Sequence, residues 1–210
     1  NFIGNKRMIK RMLPELEAWC HEKKFPFFFS TEASMNMADD VKLMQQMKDV
    51  DFRYVFMGIE TPDPELLLQT QKSQNTVRPI VERVQRVYEY GMSVSAGYII
   101  GFDGEKKGMD EAILRCVNDS GTIMAMVGLL VALPNTQLTR RLQKEGRLIS
   151  PDETVFDGSK GQYSVSTKNT ASEAADQTAG GLNFITTRDR IEIFEEYLNI
   201  CENLGVSTTR

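Results

Sequence analysis
Four apolar runs recur along this chain at intervals that leave room for one helix each. They are FPFFFSTE (25–32), RYVFMGIET (53–61), SVSAGYIIGFDGE (93–105) and IMAMVGLLVALPN (123–135). Their starts at 25, 53, 93 and 123 lie 28, 40 and 30 residues apart, and a helical pattern fills each gap. Units of that size are strand–helix crossovers, which impose parallel pairing and a right-handed wind. Four units cannot close a barrel, which takes about eight strands. Part of a barrel, or an open parallel sheet, is therefore expected.

Each run ends in glycine, a carboxylate or a Pro-Asn turn, so the C-terminal strand ends are expected to line one edge of the sheet and to carry the function. Glu60 closes Gly-Ile-Glu and is followed by a Pro-containing helix start. Glu32 follows three consecutive phenylalanines. A carboxylate there must be solvated at the sheet's mouth, paired, or bound to a ligand, because a bare buried charge is too costly. Capping of a neighbouring helix accounts for Glu32 and Glu60 equally well. Lys72 ends a helix, where the dipole favours a cation in any case. Gly97 and Ile99 form Gly-x-Ile-x-Gly with Gly101; such glycines in a strand mark close approach of a ligand or tight sheet–helix packing.

Between the strands, helices are expected over 6–24, 36–51, about 64–72, about 77–90, 109–120 and 137–145, and again over 188–204. In the first, Met8, Ile9, Met12, Leu13, Leu16 and Trp19 follow helical spacing, and Pro14 predicts a kink or a start. Asn36 is the expected N-cap of the second. Gly91 is placed to stop the helix before the third strand. The last helix has apolar periodicity through Ile191, Phe194, Leu198 and Cys201. From Pro151 to Gly181 the texture turns to Ser, Thr, Asp, Gly and Ala, which reads as a long excursion. The division drawn from this is 1–150 for the strand–helix units and 151–210 for a C-terminal extension, loop first and then helix.

With 41% hydrophobic residues the chain can bury a substantial core. A net charge of −4 argues against a nucleic-acid partner. No apolar run is long enough for a membrane span, and no export signal opens the chain. Three widely spaced cysteines, Cys20, Cys116 and Cys201, suit a reducing cytoplasm and fit neither a disulfide framework nor a metal site. The sole histidine, His21, lies in a polar helix tail. There is no Ser-His-Asp set, phosphate loop or metal-ligand spacing, so no residue is assigned as catalytic or metal-binding. The chain opens on Asn-Phe-Ile-Gly-Asn without methionine and is expected to be a fragment.

The ordered set STEAS (30–34), GIETP (58–62), QKSQN (71–75), GYIIGFDGE (97–105) and ALPNTQL (132–138) resembles the radical S-adenosylmethionine enzymes. More narrowly it resembles the branch that carries an N-terminal cobalamin-binding domain, with members described as Fe–S oxidoreductases or Mg-protoporphyrin IX monomethyl ester cyclases. The opening NFIGNKR and the closing GGLNFITTRDRIEIFEEYL look like the same branch, so the likeness spans nearly the whole chain. It implies an α/β fold, an incomplete parallel (βα) barrel with a C-terminal helical extension. It also implies that the Cys-x3-Cys-x2-Cys motif of the [4Fe–4S] cluster lies upstream of Asn1, with the N-terminal half of the barrel.

By that resemblance, Glu32 falls near the ribose and methionine part of S-adenosylmethionine and Glu60 faces the same ligand. Lys72 would reach the carboxylate, Gly97 and Ile99 would border the adenine, and Leu133, Pro134 and Asn135 would close over it. Phe102-Asp103-Gly104 departs from the commoner Gly-Phe-Pro-Gly-Glu of that branch. The expectation is a piece of a radical S-adenosylmethionine oxidoreductase or cobalamin-dependent methyltransferase acting on a small molecule. The whole protein would use S-adenosylmethionine, the cluster and cobalamin, whereas this piece alone would bind none of them and be inactive. A self-contained α/β module holding a polar small molecule is the competing reading, and a structural domain without ligand a third.

Overall fold
The computed structural model describes residues 1–69, 79–149, 155–157, 162–164 and 181–204. After a short 3-10 turn (Phe2–Asn5) the elements are α1 (Lys6–Glu22), β1 (Phe29–Glu32), α2 (Val41–Asp49), β2 (Phe52–Glu60) and α3 (Pro64–Gln69). They continue as α4 (Ile80–Glu89), β3 (Ser93–Ile100), α5 (Met109–Ser120), β4 (Met124–Leu129) and α6 (Gln137–Lys144). A two-stranded antiparallel pair, β5 (Val155–Asp157) and β6 (Gln162–Ser164), precedes α7 (Arg190–Leu204). Strands β1 to β4 form one parallel sheet in the order β1-β2-β3-β4. Sequential order means that every crossover steps the same way, as in a barrel; a doubly wound sheet would reverse direction.

The two faces of the sheet differ. Along β3 burial alternates without a break: Val94, Ala96, Tyr98 and Ile100 are buried, while Ser93, Ser95, Gly97 and Ile99 are only half-buried. Register carries the alternation across the strands, pairing Val55 with Val94 and Met57 with Ala96 on the covered face. On the other face Phe56 pairs with Ser95, Gly58 with Gly97, and Gly97 with Met126. There Tyr54 is 48%, Met124 57% and Met126 48% exposed. The helices thus cover one face and leave the second open. Wholly parallel sheets are normally buried on both faces, so an open face of this kind corresponds to the inside of a barrel.

Several expectations need correction. The first strand does not begin at Phe25 and is not buried on both faces. Lys24 and Phe25 adopt left-handed φ values of 59° and 51°, and Pro26 has no N–H, so strand pairing begins only at Phe29. Phe27 and Phe28 stay 61% and 54% exposed. The second helix is capped by Asp40, whose Oδ1 accepts from Leu43 N–H at 3.1 Å, and not by Asn36, which sits in a 3-10 turn (Met35–Met37). In α7 the stripe Ile191, Leu198 and Cys201 faces outward, while Ile193, Tyr197 and Ile200 are buried together with Glu196. That inward face can carry a glutamate because Arg188 lies against its carboxylate at 2.7 Å.

Pro14 does not start or end a helix; α1 runs through it. A proline frees the carbonyl four residues earlier. That carbonyl, on Lys10, accepts a hydrogen bond from Gln46 Nε2 of α2 at 3.1 Å. Gln46→Ala should therefore cost ~1 kcal/mol, while Pro14→Ala, which restores the helical N–H, should stabilise by ~1–3 kcal/mol. Chemical denaturation of both single variants and the double variant checks this. The expected outcome is that the cost of Gln46→Ala shrinks in the Pro14→Ala background.

Candidate functional site
The open face and the strand ends above it form the candidate site. Glu60 ends β2 with a left-handed φ of 71°, just past a register shift between Gly58 and Glu60, and pairs with Tyr98. A non-glycine residue held there is strained, and strain of this kind concentrates at functional sites. The turn that follows is fixed from within: the buried Thr61 Oγ1 donates to Met109 Sδ at 3.6 Å and accepts the Asp63 N–H at 3.2 Å. Ile99 is paired with Gly128 near the level of Glu60. The structure therefore brings Glu60, Gly97 and Ile99 to neighbouring positions on adjacent strands.

Glu32 sits lower. It pairs with Phe56, four residues before Glu60, which at about 3.3 Å per residue sets the two backbones ~13 Å apart along the strand direction. Its side chain is exposed. Leu133 is 44% exposed, and Asn135 is exposed with a left-handed φ of 66°. Both lie in the turn between β4 and α6, where the Leu133 carbonyl accepts from the hydroxyls of Thr136 and Thr139. Lys72 lies outside the described residues.

Gly97 has a packing role of its own. A Cβ there would come within 2.8 Å of the Phe56 ring, so the missing side chain lets that ring lie across β3 on the open face. Gly97→Ala should destabilise the fold by ~1–3 kcal/mol, because the ring must move from its place. Adding Phe56→Leu should recover most of the loss in denaturant unfolding; an uncorrected loss in the double variant would contradict this packing.

Sequence reasoning missed the polar network behind the β3 end. Asp103, noticed only as a departure from a family pattern, receives a two-pronged contact from Arg147 at 2.6 and 2.9 Å. It also takes one bond from Arg141 at 2.6 Å. Arg147 beside it holds its carboxyl below the usual carboxylate range. The sequence signal for this network was the Asp in place of a proline. Glu105 is fully buried as a side chain, and Arg188 lies 3.3 Å from it. Burial pushes the Glu105 carboxyl up to about 7; the Gly101 N–H and Arg188 oppose the shift and nearby Glu196 adds to it.

A group raised in the folded state stabilises fully below its unfolded pKa and loses that contribution as pH rises through the folded value. For Glu105 the window runs from about 4.5 to about 7. The melting temperature should therefore fall across this interval, and Glu105→Gln should flatten that fall in thermal scans.

Sheet order and the single open face define a segment of a parallel (βα) barrel, and comparison with known proteins agrees. A radical S-adenosylmethionine methyltransferase of Kitasatospora setae, TsrM, solved with cobalamin and a [4Fe–4S] cluster bound, superposes with a TM-score of 0.53. It is 19% identical, over 68% of this chain and 29% of that one. Its complex with tryptophan and a SAM analog superposes with a TM-score of 0.52, at 18% identity over 65% of this chain and 27% of that one. An uncharacterized methyltransferase of Synechocystis sp. is 41% identical over 94% of this chain and 33% of its own length. The hopanoid C-2 methylase of Rhodopseudomonas palustris is 36% identical over 72% of this chain and 29% of its own length. Residues 136–204 match a family described as a domain of unknown function, DUF4070. These findings support the resemblance to the cobalamin-associated branch of the radical S-adenosylmethionine proteins. It spans about a third of the length of the curated relatives it matches.

Proposed function
We propose that this chain supplies the later strands of the S-adenosylmethionine-binding barrel in a cobalamin-dependent methyltransferase. Two relatives named as a methyltransferase and a methylase, aligned over 94% and 72% of the chain, carry the reading. They favour methyl transfer over the oxidation or ester cyclisation that the wider branch resemblance also allowed. The open strand ends support it: a half-buried Glu60 and the glycine-bearing Gly97–Gly101 strand suit a zwitterionic nucleoside ligand better than a hydrolytic site.

The residues present fit the ligand in part and the cluster not at all. Glu60 and the β3 backbone at Gly97 and Ile99 would hold S-adenosylmethionine, with Leu133 and Asn135 at the rim and Glu32 below. No group of His, Cys, Asp or Glu able to hold a metal occurs among the described residues, and Cys20 and Cys116 are buried singly. The iron–sulfur centre and cobalamin would be held by other parts of a longer polypeptide. When bound, S-adenosylmethionine supplies the radical and methyl chemistry; the task of these residues is to bind it, orient it and exclude water. A small-molecule substrate and a cytoplasmic location belong to the same proposal. No helix among the described residues is long and apolar enough to cross a membrane.

The experiment is a titration with S-adenosylmethionine in a polypeptide of the relatives' full length that carries this chain. Glu60→Gln should weaken binding by about ten- to a hundredfold, the cost of losing a charged hydrogen-bonding partner. Unchanged affinity would overturn the assignment of Glu60.

A further inference from the structure
Glu105 lies behind the open face, where three elements meet. Its Oε2 accepts from the Gly101 N–H at 2.9 Å and from Arg188 Nη1 at 3.3 Å, while its buried Oε1 has no hydrogen-bond partner among the described residues. Arg188 precedes α7 and also reaches Glu196 at 2.7 and 3.1 Å and the Lys106 carbonyl at 3.3 Å. Glu196 Oε1 in turn accepts the Gly108 N–H, at the start of α5, at 2.8 Å. One guanidinium from the C-terminal part thus bridges two carboxylates, and these hold backbone N–H groups at both ends of the β3–α5 turn.

Two further contacts join the same parts. Gly101 has a left-handed φ of 105°, and a Cβ on it would fall 2.5 Å from Leu182 Cδ2. Asn183 makes both backbone-like bonds to Ala132, accepting its N–H at 2.8 Å and donating to its carbonyl at 3.1 Å. Leu182 N–H donates to the Leu130 carbonyl at 2.8 Å. Residues 182–183 therefore lie against the segment that follows β4, while Leu182 leans on the end of β3.

We infer that residues 181–196 are a clamp that sets the position of the Ile99–Gly101 strand end, with Glu105 and Arg188 as its positioning residues. This gives a role to the C-terminal part of the region that matches a domain of unknown function. The clamp stands on its own contacts; its value to a ligand beside Ile99 rests on the function proposed above. Arg188 suits the role because it meets Glu105 with a counter-charge when that carboxyl ionises, and an ionised buried carboxylate without one would leave the strand end for solvent.

The test is amide hydrogen exchange, read by NMR on the 210-residue chain. Arg188→Met should speed exchange at Gly101 and Gly108 by about ten- to a hundredfold, with Ala96 in mid-β3 unmoved. Arg188→Lys should recover part of that protection. Should Arg188→Met fail to fold, Glu105→Gln, which keeps an acceptor for the Gly101 N–H, is compared with Glu105→Leu, which has none. Gly101 should stay protected in the first and lose protection in the second. Equal protection in the two Glu105 variants, or a common rise at Gly101, Gly108 and Ala96 that lysine does not rescue, would overturn the clamp. Separately, absence of a shift at the Ile99 amide on adding S-adenosylmethionine to the longer polypeptide would count against the proposed function and leave the exchange result standing.

Discussion
An all-parallel sheet with one face packed and the other bare is the constraint on which the rest of this structure depends. Crossover helices bury Val55, Met57, Val94, Ala96, Tyr98 and Ile100, and that packing sets the register of the strands. Once the register is fixed, alternation sends Phe56, Gly58, Ser95, Gly97, Ile99, Met124 and Met126 to the opposite face. That face is apolar and glycine-rich, with no helix over it among the described residues. It has the character of a barrel interior.

The strand ends are held from behind by charge. Asp103 with Arg141 and Arg147, and Glu105 with Arg188 and Glu196, tie the end of β3 to α6 and to the segment leading into α7. Leu182, Phe184, Ile193, Tyr197 and Ile200 join the same hydrophobic core as the sheet. The end of β3 is therefore tied down from behind, and beside it Glu60, a carboxylate held at a left-handed φ of 71°, ends β2.

Much of this was legible in the sequence. The spacing of apolar runs gave the parallel order, and helix bounds such as Met109–Ser120 agree with the structure. Glu60, Gly97 and Ile99 do come together, because strand ends of parallel neighbours must. What escaped was everything that depends on tertiary partners. Nothing near Pro14 tells that Gln46 will satisfy the Lys10 carbonyl. Two apolar stripes on α7 compete, and the buried one is selected by an Arg188–Glu196 pair that a periodicity count treats as polar surface. Glu32 looked equivalent to Glu60 by its place after a strand, yet β1 pairs only as far as Phe56, so the two end at different heights.

Where S-adenosylmethionine binds decides whether these strand ends are its site. The decisive measurement is an experimental structure of the full-length polypeptide carrying this chain, obtained without oxygen and with that ligand present. Further parallel strands should continue the sheet, with the ligand against the Ile99 backbone and Glu60 in its first ring of contacts. A structure with helices packed over Phe56, Gly97 and Met126, or with the ligand bound away from these strand ends, would contradict that arrangement.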